Sequence, residues 1–430
     1  MTASLPPPPG ADPAPGPLEA GIADAPPGWR RTFASLRHRN YRLWFGGQLL
    51  SLFGSWMQST ALGYLVFELT RSSSYLGYVA FASGVPSWLF MLWAGTLADR
   101  RDRRRLLLAT QLAMLGLSAV LAALTFAGWI RPWHLLAFGF GLGTANAFDA
   151  PARQAIVPDL VGRHDVTNAV ALNSLMFNSA TTLGPAVGGA VYAAIGPAWC
   201  FSINTVSFLA VVGALLRMRP APAPPAAEAE SAGRALREGM RYVVRRRTLL
   251  VLILFVLVVT VFGFSFVNLL PAWAVRVLHG DATTNGWLQS SRGLGALVAA
   301  LAVASLGRFR FRGRLWTAGA LALPLALFAF AATRTVLASC AALCAYGAAL
   351  VLVFSLGNAL LQTLADDAFR GRVMGIYSFA FFGFLPLGAL AAGAAADAFG
   401  EAPTIAAGAG VVLLAAAGIV AGYPALRRTE

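Results

Sequence analysis

Lysine is absent from this sequence, and charged residues of any kind are few. They make up 12% of the 430 residues, whereas a soluble domain usually carries about a quarter. Hydrophobic residues make up 57%. A chain without lysine has neither a P-loop lysine nor a Schiff-base lysine, which disfavours an ATP-driven pump within this chain. Most of the sequence therefore needs lipid, rather than water, as its solvent.

Cysteine and histidine are also scarce, with three and four residues. Cys200, Cys340 and Cys344 lie inside hydrophobic runs, the histidines show no metal-ligand spacing, and no Gly-x-Ser-x-Gly nucleophile motif occurs. We therefore expect no disulfide framework, no metal, no cofactor and no enzymatic activity.

Long uncharged runs dominate what is present. Leu106–Ala127 and Thr404–Tyr423, for example, carry no charge over about twenty residues, the length that crosses a bilayer core of about 30 Å. Such runs, counted between the Gly, Pro and Arg residues that interrupt them, predict an all-α membrane protein with twelve transmembrane helices.

The runs divide into two predicted six-helix bundles, residues 29–216 and residues 248–430. Between them, residues 217–247 combine a Pro-rich stretch with an Arg-rich amphipathic segment, which predicts a cytoplasmic linker with a helix on the membrane surface. Residues 1–28 are rich in Pro, Ala and Gly and lack an apolar core, so we interpret them as a disordered tail rather than a signal peptide.

The net charge of +15 is explained by topology and does not require a nucleic-acid partner. Of the 33 basic residues, all arginine, 28 fall on one side of the twelve-span arrangement. The other side takes only Arg71, Arg131, Arg276 and Arg334. Positive residues accumulate on the cytoplasmic side of membrane proteins, which predicts that both termini are cytoplasmic.

An internal repeat supports the division into halves. The segment Leu183–Gly196 can be laid over Leu387–Gly400 at a constant offset of 204 residues, so that four small or turn positions coincide. Repeated halves are frequent in transporters.

A loop motif runs from Gly95 to Arg105, with the sequence Gly-Thr-Leu-Ala-Asp-Arg-Arg-Asp-Arg-Arg-Arg. It resembles the loop signature of the major facilitator superfamily, in which a helix-end glycine precedes Leu, Ala, Asp and a set of basic residues. This sequence departs from the signature at Asp102, where the family usually has glycine. The resemblance implies the major facilitator fold.

The resemblance also implies a cytoplasmic latch formed by Gly95, Asp99, Arg103 and Asp149. A small Gly95 would let a neighbouring helix approach, Asp99 could cap a helix or pair with arginine, and Arg103 could reach a carboxylate. Asp149 is the expected partner, since similar transporters place an acid there. The alternatives are that the Arg run only sets topology and that Asp149 is a solvated helix end.

A second motif, Leu183–Gly189, contains Gly184, Pro185, Gly188 and Gly189. It resembles the Gly-Pro motif in the fifth helix of antiporters in this superfamily. Proline removes a backbone donor and can kink the helix, and the glycines permit tight contact with a helix of the other half.

Three further segments resemble one branch of the superfamily, the enterobactin exporters and macrolide-efflux permeases. They are Pro151–Ala155, Arg237–Val243 and Phe369–Gly375, and the resemblance covers about residues 33 to 428. It implies proton-coupled export of a small amphipathic molecule across the bacterial inner membrane. The partners it implies are the substrate, the proton and the lipid bilayer, with the protein acting as a monomer.

Polar residues within the spans are candidates for the substrate cavity. They are Gln48, Gln58, Asn268, Arg292 and Asn358. Hydrogen bonding between helices is the competing explanation for each of them. An intramembrane guanidinium such as that of Arg292 needs a partner or a wet cavity, so it could bind an anionic substrate, pair with a carboxylate or snorkel to an interface.

No acidic residue stands at the predicted midplane to carry a coupling proton. Glu68, at the outer end of the first span between Phe67 and Leu69, is the candidate, because an apolar setting raises the pKa of a carboxyl group. Simple helix-end placement is the alternative. For the whole chain, import of a solute and a non-transporting receptor or scaffold role on the same fold stay open beside export.

Overall fold

The structure is a computed structural model that describes residues 33–100, 102–162, 165–218, 232–306 and 311–423. These residues form helices and connecting turns, and the described ranges contain no strand. Helices satisfy their backbone hydrogen bonds internally, which a chain in lipid requires. The predicted tail at residues 1–28 and the Pro-rich part of the linker lie outside the described residues.

Six long helices come first. They are α1 (Arg39–Thr70), α2 (Ser73–Arg100), α3 (Arg103–Phe126), α4 (Pro132–Leu160), α5 (Val166–Ile195) and α6 (Pro197–Arg217). The departure from the loop signature at Asp102 has a local use, because its carboxylate caps α3 by accepting hydrogen bonds from the backbone N–H of Arg104 and Arg105.

A short helix, α7 (Ala232–Arg245), precedes the second set of long helices. That set comprises α8 (Arg247–Val277), α9 (Ala282–Ser305), α10 (Arg312–Ala332), α11 (Val336–Leu364), α12 (Arg370–Phe399) and α13 (Glu401–Gly422). Two of them contain wider π turns, α8 at Val259–Phe264 and Trp273–Val277 and α12 at Phe379–Gly383.

Seven helices in the described part of the chain are long and apolar enough to cross a membrane: α3, α6, α8, α10, α11, α12 and α13. The other long helices, α1, α2, α4, α5 and α9, are 24 to 32 residues long and are not among these seven. Four of these five, α1, α2, α5 and α9, take part in contacts between the two halves, where a helix face need not be apolar enough for lipid. The protein is thus an all-helical, multi-pass membrane protein.

The long helices pack as two groups. Helices α1 to α6 contact mainly one another, as do α8 to α13, and the groups meet where α2 packs on α12 and α5 packs on α9. The core of the second group is one continuous apolar cluster around Trp273, Trp316 and Phe330. That of the first group is divided into clusters near its two ends.

The two ends of the helices define two faces of the molecule. We call the end that holds the starts of α1, α3 and α8 the Arg-rich face, since most of the arginines lie there. We call the opposite end, with the α1–α2, α5–α6 and α12–α13 turns, the far face.

The internal repeat is visible in the turns of the far face. Gly196, between α5 and α6, and Gly400, between α12 and α13, have nearly equal backbone angles, with φ of 92° and 88°. These values lie in the region that side chains disfavour, so glycine is needed at both turns. The 204-residue offset therefore relates structurally equivalent positions.

Helix α7 is docked on the second half at the Arg-rich face. The Tyr242 ring stacks on that of Phe369, with 4.3 Å between centroids, and the Glu238 carboxylate lies 2.9 Å from the Arg372 guanidinium. Val243 is buried beneath the helix. The linker helix is thus attached to the start of α12.

Candidate functional site

A cavity of about 470 Å³ lies between the two halves, lined by α1, α2, α8, α9 and α12. Its polar lining consists of Ser59, Ser83, Ser87, Asn268, Gln289 and Arg292. Its aromatic lining consists of Trp56, Phe264 and Phe382. A concave, mostly apolar site with a few polar groups is what a small amphipathic ligand requires.

Irregular turns in α8 and α12 present several of these side chains. Phe264 and Asn268 lie where α8 passes from a π turn to a 3-10 turn, and Phe382 lies in the π turn of α12. Pro271 and Pro386 follow these turns, and since proline has no N–H it leaves carbonyl groups of the preceding turn without their usual partner. The two prolines account for irregular backbone at the cavity.

Arg292, the one charged residue among the lining residues, is 7% exposed. Its guanidinium carbon lies 5.8 Å from the centroid of the Phe264 ring. Its Nε atom is buried without a hydrogen-bond partner, and no ion pair joins it to any residue that the structure describes. The structure therefore places Arg292 and Asn268, of the five predicted cavity residues, in the cavity lining.

The other three predicted cavity residues lie elsewhere, which corrects the sequence-based assignment. Gln48 and Gln58 are buried on α1 but do not line the cavity. Asn358, on α11, accepts a hydrogen bond from Gln362 one turn along the same helix. Sequence reasoning could place these residues within spans but could not tell which side of a helix faces the cavity.

The loop signature makes different contacts from those expected. Arg103 donates from Nη1 to Asp159, at 2.7 Å, and to the carbonyl of Ala155, at 3.2 Å, and not to Asp149. Ten residues of α4 separate the two acids, so Arg103 pairs with the one nearer the helix end. Among the described residues, no atom of another helix lies within 4 Å of the position a Gly95 side chain would occupy, which contradicts the expected close approach. The side chain of Asp99 lies outside the described part.

Asp149 is buried between α3 and α4, with 1% exposure. Its Oδ1 atom accepts hydrogen bonds from Thr110 and Gln111, both at 2.9 Å. Arg153 Nε lies 3.3 Å from Oδ2 without the direction of a hydrogen bond. The alternative interpretation of Asp149 as a solvated helix end is therefore wrong, because Asp149 is an acid held inside the first half.

The Gly-Pro motif joins α5 to two helices. Gly184 and Gly188 pack against Trp56 and Met57 of α1, in the same half. Only Gly189 faces the other half, where an added Cβ would lie 2.5 Å from the carbonyl oxygen of Ala282. The expectation that the glycines contact the other half thus describes Gly189 but not Gly184 or Gly188, because these lie on a different side of the helix.

Glu68 is exposed at the far face and lies outside the cavity. Its carboxylate accepts a hydrogen bond from the hydroxyl of Tyr192 on α5. The Tyr192 ring packs edge-to-face on that of Tyr64, with 5.0 Å between centroids. The one polar contact of Glu68 with a described side chain is therefore within the first half.

A polar cluster connects the two halves at the far face, and sequence analysis did not find it. We call it the far-face clasp, formed by Ser72, Ser73, Ser74, Arg276, Asp397 and Glu401. Asp397, at the end of α12, accepts hydrogen bonds from the hydroxyl of Ser72 and the backbone N–H of Ser73 and Ser74, at 2.6 to 2.8 Å. It thereby caps α2 from the other half.

Arg276 holds the acids of the clasp in place. Its Nη1 atom lies 2.7 Å from Glu401 and 3.5 Å from Asp397, and its Nη2 atom donates to the carbonyl of Arg71. The hydrogen bonds that join the halves through described side chains all lie in this cluster or directly beside it. The far face is therefore closed in this structure. The sequence signal was the Ser-Ser-Ser run at the start of α2, but nothing local links it to Asp397.

Comparison with known proteins adds a family. A sequence model of the family described as transmembrane secretion effector matches residues 30–430. The chain is 26% identical to the staphyloferrin A transporter of Staphylococcus aureus, over 84% of this chain and 90% of that protein. It is 29% identical to the multidrug efflux pump Tap of Mycolicibacterium fortuitum, over 81% of this chain and 87% of that protein. The enterobactin exporter EntS of Shigella boydii is 24% identical to this chain, over 79% of this chain and 81% of that protein.

Solved structures agree on the fold. A peptide transporter POT variant superposes with a TM-score of 0.72, at 14% identity, over 91% of this chain and 96% of that one. A variant of the nucleoside transporter NupG superposes with a TM-score of 0.71, at 14% identity, over 90% of this chain and 99% of that one. These relatives and neighbours are transporters and not enzymes. The chain belongs to the transmembrane secretion effector family, within the efflux branch of the major facilitator superfamily.

Proposed function

We propose that this protein is a secondary transporter with twelve spans that exports a small amphipathic molecule by alternating access. The observation that carries the proposal is the cavity between the halves, closed on the far side by the clasp. A site enclosed between two bundles, with a breakable polar contact at one face, can be exposed to either side by rocking. The relatives' names, which mention staphyloferrin A transport, multidrug efflux and enterobactin export, support a small-molecule substrate.

The proposed orientation places the Arg-rich face and both termini in the cytoplasm of the bacterial inner membrane. The side of α7 that faces away from the protein supports this orientation. It exposes Leu236, Met240 and Val244 at four-residue spacing, and Arg237 and Arg241 stand beside them. An apolar stripe flanked by arginine suits the boundary between acyl chains and anionic headgroups.

The latch at the Arg-rich face is proposed to act opposite the clasp. Asp99 and Arg103 lie at the α2–α3 turn, and Arg103 is bonded to α4 through Asp159. Replacing Asp99 by Asn should reduce flux strongly while leaving membrane insertion near normal, since a neutral amide would weaken the closed state. Unchanged flux at normal expression would contradict the latch. Asp102→Asn, which keeps an oxygen that can cap α3, is the matched control.

Proton coupling is proposed to use Glu68, with Tyr192 as its hydrogen-bond partner. A Glu68→Gln variant would then keep exchange of substrate across the membrane but lose flux driven by a pH gradient. Tyr192→Phe, which removes the donor and keeps the ring, should change the pH dependence of flux without abolishing it. Gradient-driven flux of Glu68→Gln at the wild-type rate would contradict this assignment.

The transport proposal is tested in proteoliposomes with an imposed pH gradient, using a panel of amphipathic drugs and siderophores. Export predicts that cells lacking the protein accumulate substrate, whereas reduced uptake in those cells would show import. A purified protein that moves no compound in the panel, yet binds another protein, would instead establish a receptor or scaffold.

A further inference from the structure

The cavity contains positive charge and no negative charge. Arg292 is its one charged lining residue, and its remaining polar groups are hydroxyls and amides. Asn268 and Gln289 can each donate from an amide nitrogen. A cavity with a guanidinium, two amides and no carboxylate attracts anions and repels organic cations.

Arg292 is not explained by protein structure alone. An arginine only 7% exposed would ordinarily be paired, because an unpaired charge inside a membrane protein is costly. Its described interactions are with the Phe264 ring and, electrostatically, with Tyr346, and no carboxylate of a described residue is bound to it. An unpaired buried cation that lines a cavity fits a site whose missing partner is a ligand.

The backbone around Arg292 leaves little freedom to move it out of the cavity. Gly347 of α11 packs directly on the carbonyl of Arg292, and Gly295 packs on that of Cys344. On the other side, Gly293 touches Thr182 of α5. Because α9 is held between α5 and α11 at these glycines, the guanidinium is restricted to the cavity side. This fixed position favours binding of a charged group over snorkelling to an interface.

We propose that the transported substrate carries an anionic group, a carboxylate or a group of similar charge, that binds Arg292. The proposal rests on the transport function above and names its substrate class. The anion accepts hydrogen bonds from the guanidinium, and the amides of Asn268 and Gln289 lie on the same lining. The apolar part of the substrate packs against Trp56, Phe264 and Phe382.

The test compares ligands that differ in one charge. Benzoate, 1-naphthoate and pyrene-1-carboxylate, each beside its neutral amide, are titrated into the full-length protein in phosphatidylcholine nanodiscs. We expect at least one carboxylate to bind at least tenfold more tightly than its amide. Arg292→Gln should reduce that preference to within about twofold. Arg334→Gln, which removes an arginine outside the cavity lining, should leave it unchanged.

Equal affinity for acid and amide in the wild-type protein would overturn the anion site, as would failure of all three carboxylates to bind. A preference that survives in Arg292→Gln would also overturn it. The wild-type comparison needs no variant, so a folding defect cannot hide the answer. Failure of the transport proposal can be distinguished from failure of the anion-site proposal. Arginine-dependent binding without flux of any bound compound would support the anion site and reject the transport function. Flux of the neutral amides as fast as that of the acids would support the transport function and reject the anion site.

Discussion

Asp397 shows how one side chain can serve two halves of a chain. It lies at the end of α12 and supplies the cap of α2, more than 300 residues earlier, while Arg276 stands 3.5 Å from the same carboxylate. A carboxylate at a helix N-terminus satisfies free N–H groups and interacts favourably with the helix dipole. Closure of the far face is thereby coupled to the stability of the α2 start.

We predict that Asp397→Ala opens the far face. Loss of a cap costs about 1 kcal/mol, which corresponds to about a fivefold shift toward the open state. Spin labels on Trp129 and Leu337, exposed far-face positions in the two halves, should show a larger population at long distance by double electron–electron resonance. Asp367→Ala, at an exposed ion pair on the other face, is the control. An unchanged distance distribution for Asp397→Ala would contradict the role of the clasp.

Asp165 ties the segment before α1 to the start of α5. It accepts from His38 Nε2 at 2.7 Å and from Arg37, while Ser35 donates to its carbonyl. The hydrogen bond from His38, followed by that from Arg37, lowers the pKa of the Asp165 carboxyl. A lowered pKa means that the ionised carboxylate stabilises the folded contact.

This contact should therefore be lost in acid. Its contribution is fully present above the unfolded pKa of about 3.9 and disappears as the pH falls through the lowered folded value. A spin label at Phe33 should be immobile at pH 5 to 7 and should become mobile only when the pH falls below the unfolded pKa of about 3.9. In Asp165→Asn the label should be mobile throughout, since the charged acceptor is gone. A label at Trp129 reports any general unfolding, and equal mobility of both labels would refute the prediction.

The helices that join the halves meet through glycine at equivalent places. An added Cβ at Gly189 of α5 would lie 2.5 Å from the carbonyl of Ala282, at the start of α9. At Gly393 of α12 it would lie 2.5 Å from the carbonyl of Ser73, at the start of α2. The offset between these glycines is the 204 residues found in the sequence repeat. Because glycine has no side chain, each of these helices can touch the first residue of a helix that belongs to the other half.

Gly189→Val should therefore separate α5 from α9 at the far face. Overpacking costs about 1 to 3 kcal/mol, enough to shift the population of closed molecules by about five- to a hundredfold. Flux should fall while expression and membrane insertion stay near wild type, and the distance between labels at Trp129 and Leu337 should increase. Gly116→Val, with no atom of another helix within 4 Å, should leave both unchanged. Normal flux in Gly189→Val would show that the contact is not required.

The two halves share a repeat, but the two related contacts between them differ in their chemistry. The clasp caps α2 from the second half, whereas α9 is capped by Asp281 of its own half, which accepts from the backbone N–H of Thr284. One of the two related contacts between halves is therefore charged and breakable, and the other rests on packing. This asymmetry suits a carrier whose opening is controlled at one of these two contacts, the clasp.

The orientation of the molecule is predicted from its arginines and can be tested directly. In a variant without Cys200, Cys340 and Cys344, a single cysteine at Trp129 should react in intact cells with a maleimide that cannot cross the membrane. A single cysteine at Arg241, an exposed polar position of α7, should react only in inverted vesicles, because the Arg-rich face is proposed to be cytoplasmic. The reverse pattern would invert the proposed direction of every transport step.

The sequence by itself determined what lipid and charge decide locally. Apolar runs and the scarcity of charge predicted a helical membrane protein, and the 204-residue repeat marked equivalent turns. The motif from Gly95 to Arg105 was enough to indicate the superfamily, because it depends on residues adjacent in the chain.

Tertiary structure decided everything that depends on which sides of the helices meet. It paired Arg103 with Asp159 instead of Asp149, and it left Gln58 out of the cavity that Arg292 lines. It also brought Asp397 to the start of α2, a contact across most of the chain. Spacing along a sequence places a residue at a depth in the membrane, but the rotation of each helix and the seating of one half on the other decide what that residue touches.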